Sequence, residues 1–202
     1  TTGDNCGVQG TSNNAPTTYA LGNTTVTWTV TDVHGHSATC AQTVTVKDAQ
    51  PPTVTSTAGD GFANVKNYSC NAAPIVFNAD VNACTALRSV AKPTWADNCT
   101  ATPATSFSTN NGTPVIETAT FVYAQFPKGT TVVSFTATDA ANPANTGTCA
   151  VTIQVNDTQL PILAGCQSSN VSVNATPDTC NAPATSMPPT PSDNCTNYVQ
   201  TR

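Results

Sequence analysis

Nine cysteines are the residues of this 202-residue chain best equipped for chemistry, and their surroundings limit what that chemistry is. Only 8% of the residues are charged. So many thiols in so uncharged a chain fit an oxidising compartment, where they pair as disulfides. Zinc is the competing use of cysteine, but it favours closely spaced ligand pairs. No Cys-x-x-Cys occurs, and the only histidines, His34 and His36, sit together in Val33-His34-Gly35-His36-Ser37. That stretch has the composition of an exposed hairpin turn rather than of a metal clamp or a general base. Glu117 is the only glutamate, so no pair of glutamates can share acid–base work. No constellation for catalysis is present, and the expectation is that the chain is not an enzyme.

The second group with chemical potential is a repeated tripeptide. Asp-Asn-Cys occurs as Asp4-Asn5-Cys6, Asp97-Asn98-Cys99 and Asp193-Asn194-Cys195, in steps of 93 and 96 residues. Steps of that size are the length of a small β-sandwich rather than of a solenoid repeat. The elements that carry these loops also repeat. Val132 to Asp139 alternates apolar and polar residues, as does Cys149 to Val155, the period of strands with one buried face. Asp139 to Gly147 joins them as a hairpin turn. Thr25 to Asp32 matches Val132 to Asp139 residue for residue, with Trp28 in the place of Phe135, and Cys40 opens the next strand as Cys149 does. Cys70, Cys84 and Cys99 are spaced 14 and 15 residues apart, and so are Cys166, Cys180 and Cys195. Residues 1–48 therefore read as the later part of one domain, 49–157 as a complete domain, and 158–202 as the earlier part of a third.

Composition sets the class. The chain is rich in threonine and valine and has four leucines, Leu21, Leu87, Leu160 and Leu163. These preferences suit pleated strands and few helices, so the expected fold is all-β. A net charge of −5 with six basic residues argues against nucleic acid as a partner. No apolar run approaches the length of a membrane span. Thr1-Thr2-Gly3-Asp4 reads as the start of a processed chain or of a cut fragment.

The series Cys, Cys, Asp-Asn-Cys, Phe-Pro-x-Gly-Thr-Thr-x-Val, Thr-Ala-Thr-Asp, Cys and Val-x-Val-x-Asp resembles the HYR (hyalin repeat) family, and the likeness covers essentially the whole chain. Two departures stand out: Tyr19-Ala20-Leu21-Gly22 replaces Phe-Pro-x-Gly, and the complete copy has an insert around Asn110 to Thr118. The resemblance implies tandem immunoglobulin-like β-sandwiches, stapled by disulfides, in secreted and cell-surface proteins. It implies structural or adhesive function, as in a stalk or filament, and no catalytic residues. The rival function is a carbohydrate-binding or accessory module of a secreted enzyme. An exposed aromatic row would favour it, and only Trp95 and Tyr123 are available, since Trp28 alternates inward with Val26 and Val30 and reads as core.

In a sandwich of this order the Asp-Asn-Cys loop and the last hairpin turn share one end. That places Cys99 near Cys149 and Cys6 near Cys40, while Cys70 with Cys84, and Cys166 with Cys180, bracket one short strand each. The expected disulfides are those four pairs, with Cys195 unpaired or intermolecular. Four cysteines nevertheless allow three connectivities, among which sequence alone does not choose. The same end gathers Asp48, Asp97, Asn98 and Asp139, an oxygen set of the type Ca²⁺ accepts. The competing reading makes each aspartate an ordinary turn former. If asparagines are glycosylated, Asn67, Asn111 and Asn170 are the acceptors in loop-like stretches. Glycans and other surface proteins are further partners of this class. Neither half domain can bury a core alone, so copies are expected to meet head to tail, by covalent continuation or by strand addition.

Overall fold

The computed structural model describes residues 3–57, 68–165, 172, 174–182 and 190–195. Its regular elements are all β-strands. No helix among the described residues is long and apolar enough to cross a membrane. In chain order the strands are β1 (Val8–Asn13), β2 (Gly22–Asp32), β3 (Ser37–Val46), β4 (Thr53–Ser56), β5 (Ile75–Asn78), β6 (Thr85–Ala91) and β7 (Thr94–Ala96). They continue as β8 (Ala104–Thr109), β9 (Thr113–Glu117), β10 (Phe121–Pro127), β11 (Gly129–Thr138), β12 (Thr146–Asn156), β13 (Ile162–Ala164) and β14 (Thr190–Ser192). Two larger sheets have the orders β5-β12-β11-β8 and β6-β10-β9, a third is β1-β2-β3, and β4-β7 and β13-β14 are two-stranded.

The chain divides into two compact units, Thr1–Ser56 with Thr94–Ser106 and Thr136–Thr148, and Thr57–Pro93 with Phe107–Phe135 and Cys149–Arg202. In the second unit, the alternation expected of β11 and β12 is realised. Val133 and Phe135 of β11, and Cys149, Val151, Ile153 and Val155 of β12, are all 2% exposed or less. Facing them are Ala86 and Val90 of β6 and Val122, Ala124 and Phe126 of β10, which β10 presents from every second residue. Small β-branched residues dominate this core, and Phe126 is its largest fully buried side chain. β5 adds the outer strand by pairing parallel to β12, Ile75 opposite Ile153 and Asn78 opposite Asn156. Phe107 tilts against Phe135 at 6.3 Å, and the buried Tyr68 donates its hydroxyl to Ala91 O at 2.6 Å.

Beyond β5 the chain turns through Asp80 to Ala83. Asp80 accepts from Leu87 N at 2.7 Å and pairs with Arg88 Nη1 at 2.7 Å, and Arg88 lies over the Phe77 ring at 5.2 Å. Desolvation pushes the Asp80 carboxyl up, but the Leu87 and Arg88 contacts outweigh it and hold the group below its ordinary value. A carboxyl depressed in the folded state stabilises above its unfolded pKa, and that contribution is lost as pH falls through the folded value.

In the first unit, β2 lies between β1 and β3, with Trp28 opposite Cys40 and Gly22 opposite Val46. This sheet repeats β8-β11-β12, because each begins after an Asp-Asn-Cys loop and places the matching hairpin second and third. The face differs. Phe135 is 2% exposed, whereas Trp28, its counterpart, is 44% exposed. The expectation that Trp28 is core is therefore corrected: Val26 on the same face is 1% exposed, but Trp28 lines an open groove of about 370 Å³ with Val30 and Cys40. Elsewhere in the unit, Gly147 is required by close approach. A Cβ there would lie 2.1 Å from Pro52 O and 3.0 Å from the Trp95 ring.

Two measurements check this account. Phe126→Ala should cost about 3–5 kcal/mol in urea unfolding, the range for emptying an aromatic core site, while Val81→Ala, at an 83% exposed position, should stay within about 0.5 kcal/mol. Asp80→Asn should flatten the loss of stability below about pH 4, where the native Asp80 is taking up its proton.

Candidate functional site

The residues with chemical potential gather in two clusters, one within each unit, termed the first and second junction after the repeats read from the sequence. At the first junction the linker after β3 brings Asp48, the Asp-Asn-Cys loop brings Asp97, and the turn after β11 brings Asp139. Their carboxylates offer oxygens that lie within 4.8 Å of one another. Each aspartate also holds its own turn. Asp97 Oδ1 accepts from Cys99 N at 3.0 Å and Thr100 N at 2.7 Å. Asp139 Oδ1 accepts from Ala141 N and Asn145 N at 3.0 and 2.8 Å, and its Oδ2 accepts from Asn145 Nδ2 at 2.8 Å. Asp48 Oδ1 accepts from Gln50 N at 3.1 Å. The turn-forming reading therefore accounts for one oxygen each of Asp48 and Asp97 and for both oxygens of Asp139. Asp48 Oδ2 and Asp97 Oδ2 are buried with no hydrogen-bond partner. Asn98 is exposed, with Nδ2 3.3 Å from Cys99 Sγ.

The electrostatics follow from this crowding. Burial pushes the Asp139 carboxyl up, yet its bonds from Asn145 and Ala141 leave it below its ordinary value. The Cys99 thiol is pushed up by desolvation and by the charges of Asp48, Asp97 and Asp139. Three carboxylates in one place thus hold the neighbouring thiol in its neutral form.

The second junction repeats the design. Asp157 and Asp193 stand where Asp48 and Asp97 stand, and both lie within 4.8 Å of Cys195. That sulfur is already bonded, so only the two carboxylates remain for a cation, and Asp157 is 3.5 Å from Lys128 Nζ.

The disulfides differ from every expected pair. Cys70 bonds Cys149 with Cα atoms 4.9 Å apart, and Cys84 bonds Cys195 at 4.8 Å. Both separations suit a disulfide. Cys70–Cys84 fails because the two cysteines lie at opposite ends of β5. Since β5 runs parallel to β12, Cys70 arrives at the start of β12, where Asn71 N donates to Ala150 O at 2.8 Å. Cys99–Cys149 fails because Cys149 faces the core, fully buried, while Cys99 is exposed in its loop. Cys195, expected to be unpaired, is 3% exposed in its bond to Cys84. Cys6, Cys40 and Cys180 are free and exposed, and Cys166 lies outside the described residues. Of the three candidate glycan acceptors, Asn111 is exposed in a turn, and Asn67 and Asn170 lie outside the described residues.

Gln159 escaped the reading of the sequence, and Asn194 entered it only as part of the repeated tripeptide. Gln159 accepts from Asn82 N at 2.9 Å and donates to Asp80 O at 2.8 Å, and Asn194 Nδ2 donates to Ala83 O at 2.7 Å. Together they clamp the turn that precedes Cys84. A signal for Gln159 was available, because Asp48-Ala49-Gln50 and Asp157-Thr158-Gln159 repeat the same Asp-x-Gln. The other site residues do little of this kind. His36 Nδ1 is 2.9 Å from Asp32 in an exposed turn, and Trp95 and Tyr123 are each half-buried rather than part of an exposed aromatic row.

No family model matches the chain, and no curated protein does. Among solved structures it is similar to a protocadherin gammaB7 EC3-6 cis-dimer, at 14% identity and a TM-score of 0.31, over 71% of this chain and 34% of that one. It is also similar to mouse clustered PcdhgC3 EC1-3, at 15% identity and a TM-score of 0.25, over 72% of this chain and 46% of that one. The chain thus spans less than half the length of either.

Non-reducing peptide mapping should recover the Cys70–Cys149 and Cys84–Cys195 cross-linked peptides. Closing loops of 79 and 111 residues is worth roughly 4–5 kcal/mol each in the chain-entropy account, so Cys70→Ser should lower the urea midpoint strongly.

Proposed function

We propose that this chain is a non-enzymatic structural or adhesive component of an extracellular assembly, built of tandem sandwiches of the HYR type and joined to further copies end to end. The observation that carries this reading is the contrast between two equivalent sheets. The β11–β12 face is dry, while the same face of β2–β3 leaves Trp28 44% exposed beside Val30 and Cys40. An apolar face of this kind needs a cover, and the complete repeat shows what form the cover takes: a second sheet and a parallel strand on the free edge. A second copy, meeting this one head to tail, supplies it in this reading. Two disulfides and the low charge of the chain support an oxidising, extracellular setting.

In this reading Ca²⁺ occupies the first junction, held by Asp48, Asp97 and Asp139. The unpartnered oxygens of Asp48 and Asp97 support it, since a hard cation takes oxygen ligands and offsets carboxylate repulsion. The ion would tie the linker to two loops of the following sandwich and stiffen the join.

Electron microscopy of the purified protein should show end-to-end fibres, and a monodisperse monomer at high concentration would remove the assembly reading. Ca²⁺ at a hundred times its Kd should stabilise by about 2.7 kcal/mol, raising Tm by roughly 5–10 °C. Chelation should reverse the rise, and Asp97→Asn or Asp139→Asn should abolish it. A Tm indifferent to both Ca²⁺ and chelator would leave the cluster as turn formers alone.

A further inference from the structure

Each junction between repeats has two faces. At the closed junction, the turn Asp80–Ala83 with Cys84 forms one face, and Gln159, Asn194 and Cys195 form the other. Three hydrogen bonds and one disulfide join them. Both faces occur a second time, and among the described residues neither meets a mate.

The turn face recurs at Thr176–Thr179, ahead of Cys180. Asp80 N donates to Thr85 O at 2.8 Å and Ala83 N to Asp80 O at 3.0 Å. Thr176 N donates to Asn181 O at 2.9 Å and Thr179 N to Thr176 O at 3.2 Å. The third residue is left-handed in both turns, Asn82 at φ 58° and Asp178 at φ 70°. The side-chain partners come from backbone groups in this geometry, so Asp178 in the place of Asn82 leaves the donor unchanged. Cys180 is free and exposed. The receiving face recurs at Gln50, Asn98 and Cys99. Asp97 Oδ1 holds Cys99 N at 3.0 Å as Asp193 Oδ1 holds Cys195 N at 2.8 Å, and Asn98 Nδ2 lies 3.3 Å from Cys99 Sγ as Asn194 Nδ2 lies 3.5 Å from Cys195 Sγ. Gln50, Asn98 and Cys99 are all exposed.

We propose that these two open faces are mates: the Thr176–Thr179 turn of one copy docks on Gln50 and Asn98 of the next, and Cys180 bonds Cys99 across the join. By correspondence with the closed junction, Gln50 takes Asp178 N and Thr176 O, and Asn98 Nδ2 takes Thr179 O. The inference rests on the end-to-end reading above and gives it a covalent joint. Formation needs an oxidant of the small-disulfide class, such as oxidised glutathione. One thiol displaces a sulfur of that disulfide, forming a mixed disulfide and releasing one reduced glutathione. The second thiol then displaces the other half. Two protons and two electrons leave the protein on two molecules of reduced glutathione, and one S–S bond replaces two S–H bonds.

The test uses the full chain, mixed equally as ¹⁵N-labelled and unlabelled protein, oxidised with a glutathione redox buffer, alkylated and digested without reduction. The expected product is a Cys99–Cys180 peptide with mixed isotopes, together with a ladder of multimers on a denaturing gel that collapses on reduction. Cys99→Ser and Cys180→Ser should each erase the ladder and leave Cys70–Cys149 and Cys84–Cys195 intact. Gln50→Ala and Asn98→Ala keep both thiols and should slow cross-linking about fivefold, by removing docking hydrogen bonds. Fibres whose Cys99 and Cys180 remain alkylatable would overturn the joint while leaving end-to-end assembly standing. Cys99 bonded to Cys149, to a Cys180 of uniform isotope, or to a peptide foreign to this sequence would overturn it too. Monomers without cross-links would overturn both readings.

Discussion

Covering one face of the β11–β12 hairpin is the constraint from which the rest of the architecture follows. The strands are built of valine, threonine and alanine, which bury little area each, so a single sheet of them cannot keep a face dry. Burial requires β6 and β10 on one side and the edge strand β5 alongside β12. The Cys70–Cys149 bond fixes β5 at the start of that partner strand. The residues with chemistry sit in turns and loops: in one unit the aspartates around the turn after β11, and in the other the turn that follows β5 and leads to Cys84.

A core of this kind is poor in transfer free energy, since each small side chain contributes about 1–2 kcal/mol. Cross-links and junction contacts matter more in such a module than in a leucine-rich one. The polar groups at the junctions are correspondingly well used. Gln159 and Asn194 satisfy backbone atoms of one turn, and Asp97, Asp139 and Asp193 each hold backbone amides of their own loops.

Much of this was legible in the chain itself. The period-two runs identified β11 and β12 with their inward faces, and the repeated tripeptide led to Asp48, Asp97 and Asp139, which the fold does bring together. The disulfides were not legible, for a definite reason. Equal spacings report that two cysteines occupy equivalent places in successive repeats, not that they are near each other, and a strand between two cysteines carries them apart. Only the parallel pairing of β5 with β12 reveals where Cys70 goes, and parallel pairing leaves no local signature. Trp28 was misread for a related reason, because alternation identifies the apolar face of a strand but not whether anything covers it.

The overlap of the two disulfides has a mechanical consequence. Cys70 and Cys195 are 125 residues apart along the chain, but the shortest covalent path between them runs 14 residues to Cys84 and then across one S–S bond. If tension were applied along the molecule, unfolding could lengthen that span to only about 50 Å, against roughly 430 Å for the free backbone. The load would bypass the residues between Cys84 and Cys195, the β11–β12 hairpin among them, altogether. Such a tether yields by a short, fixed increment and then behaves as an inextensible link, with its hydrophobic core shielded from the pull.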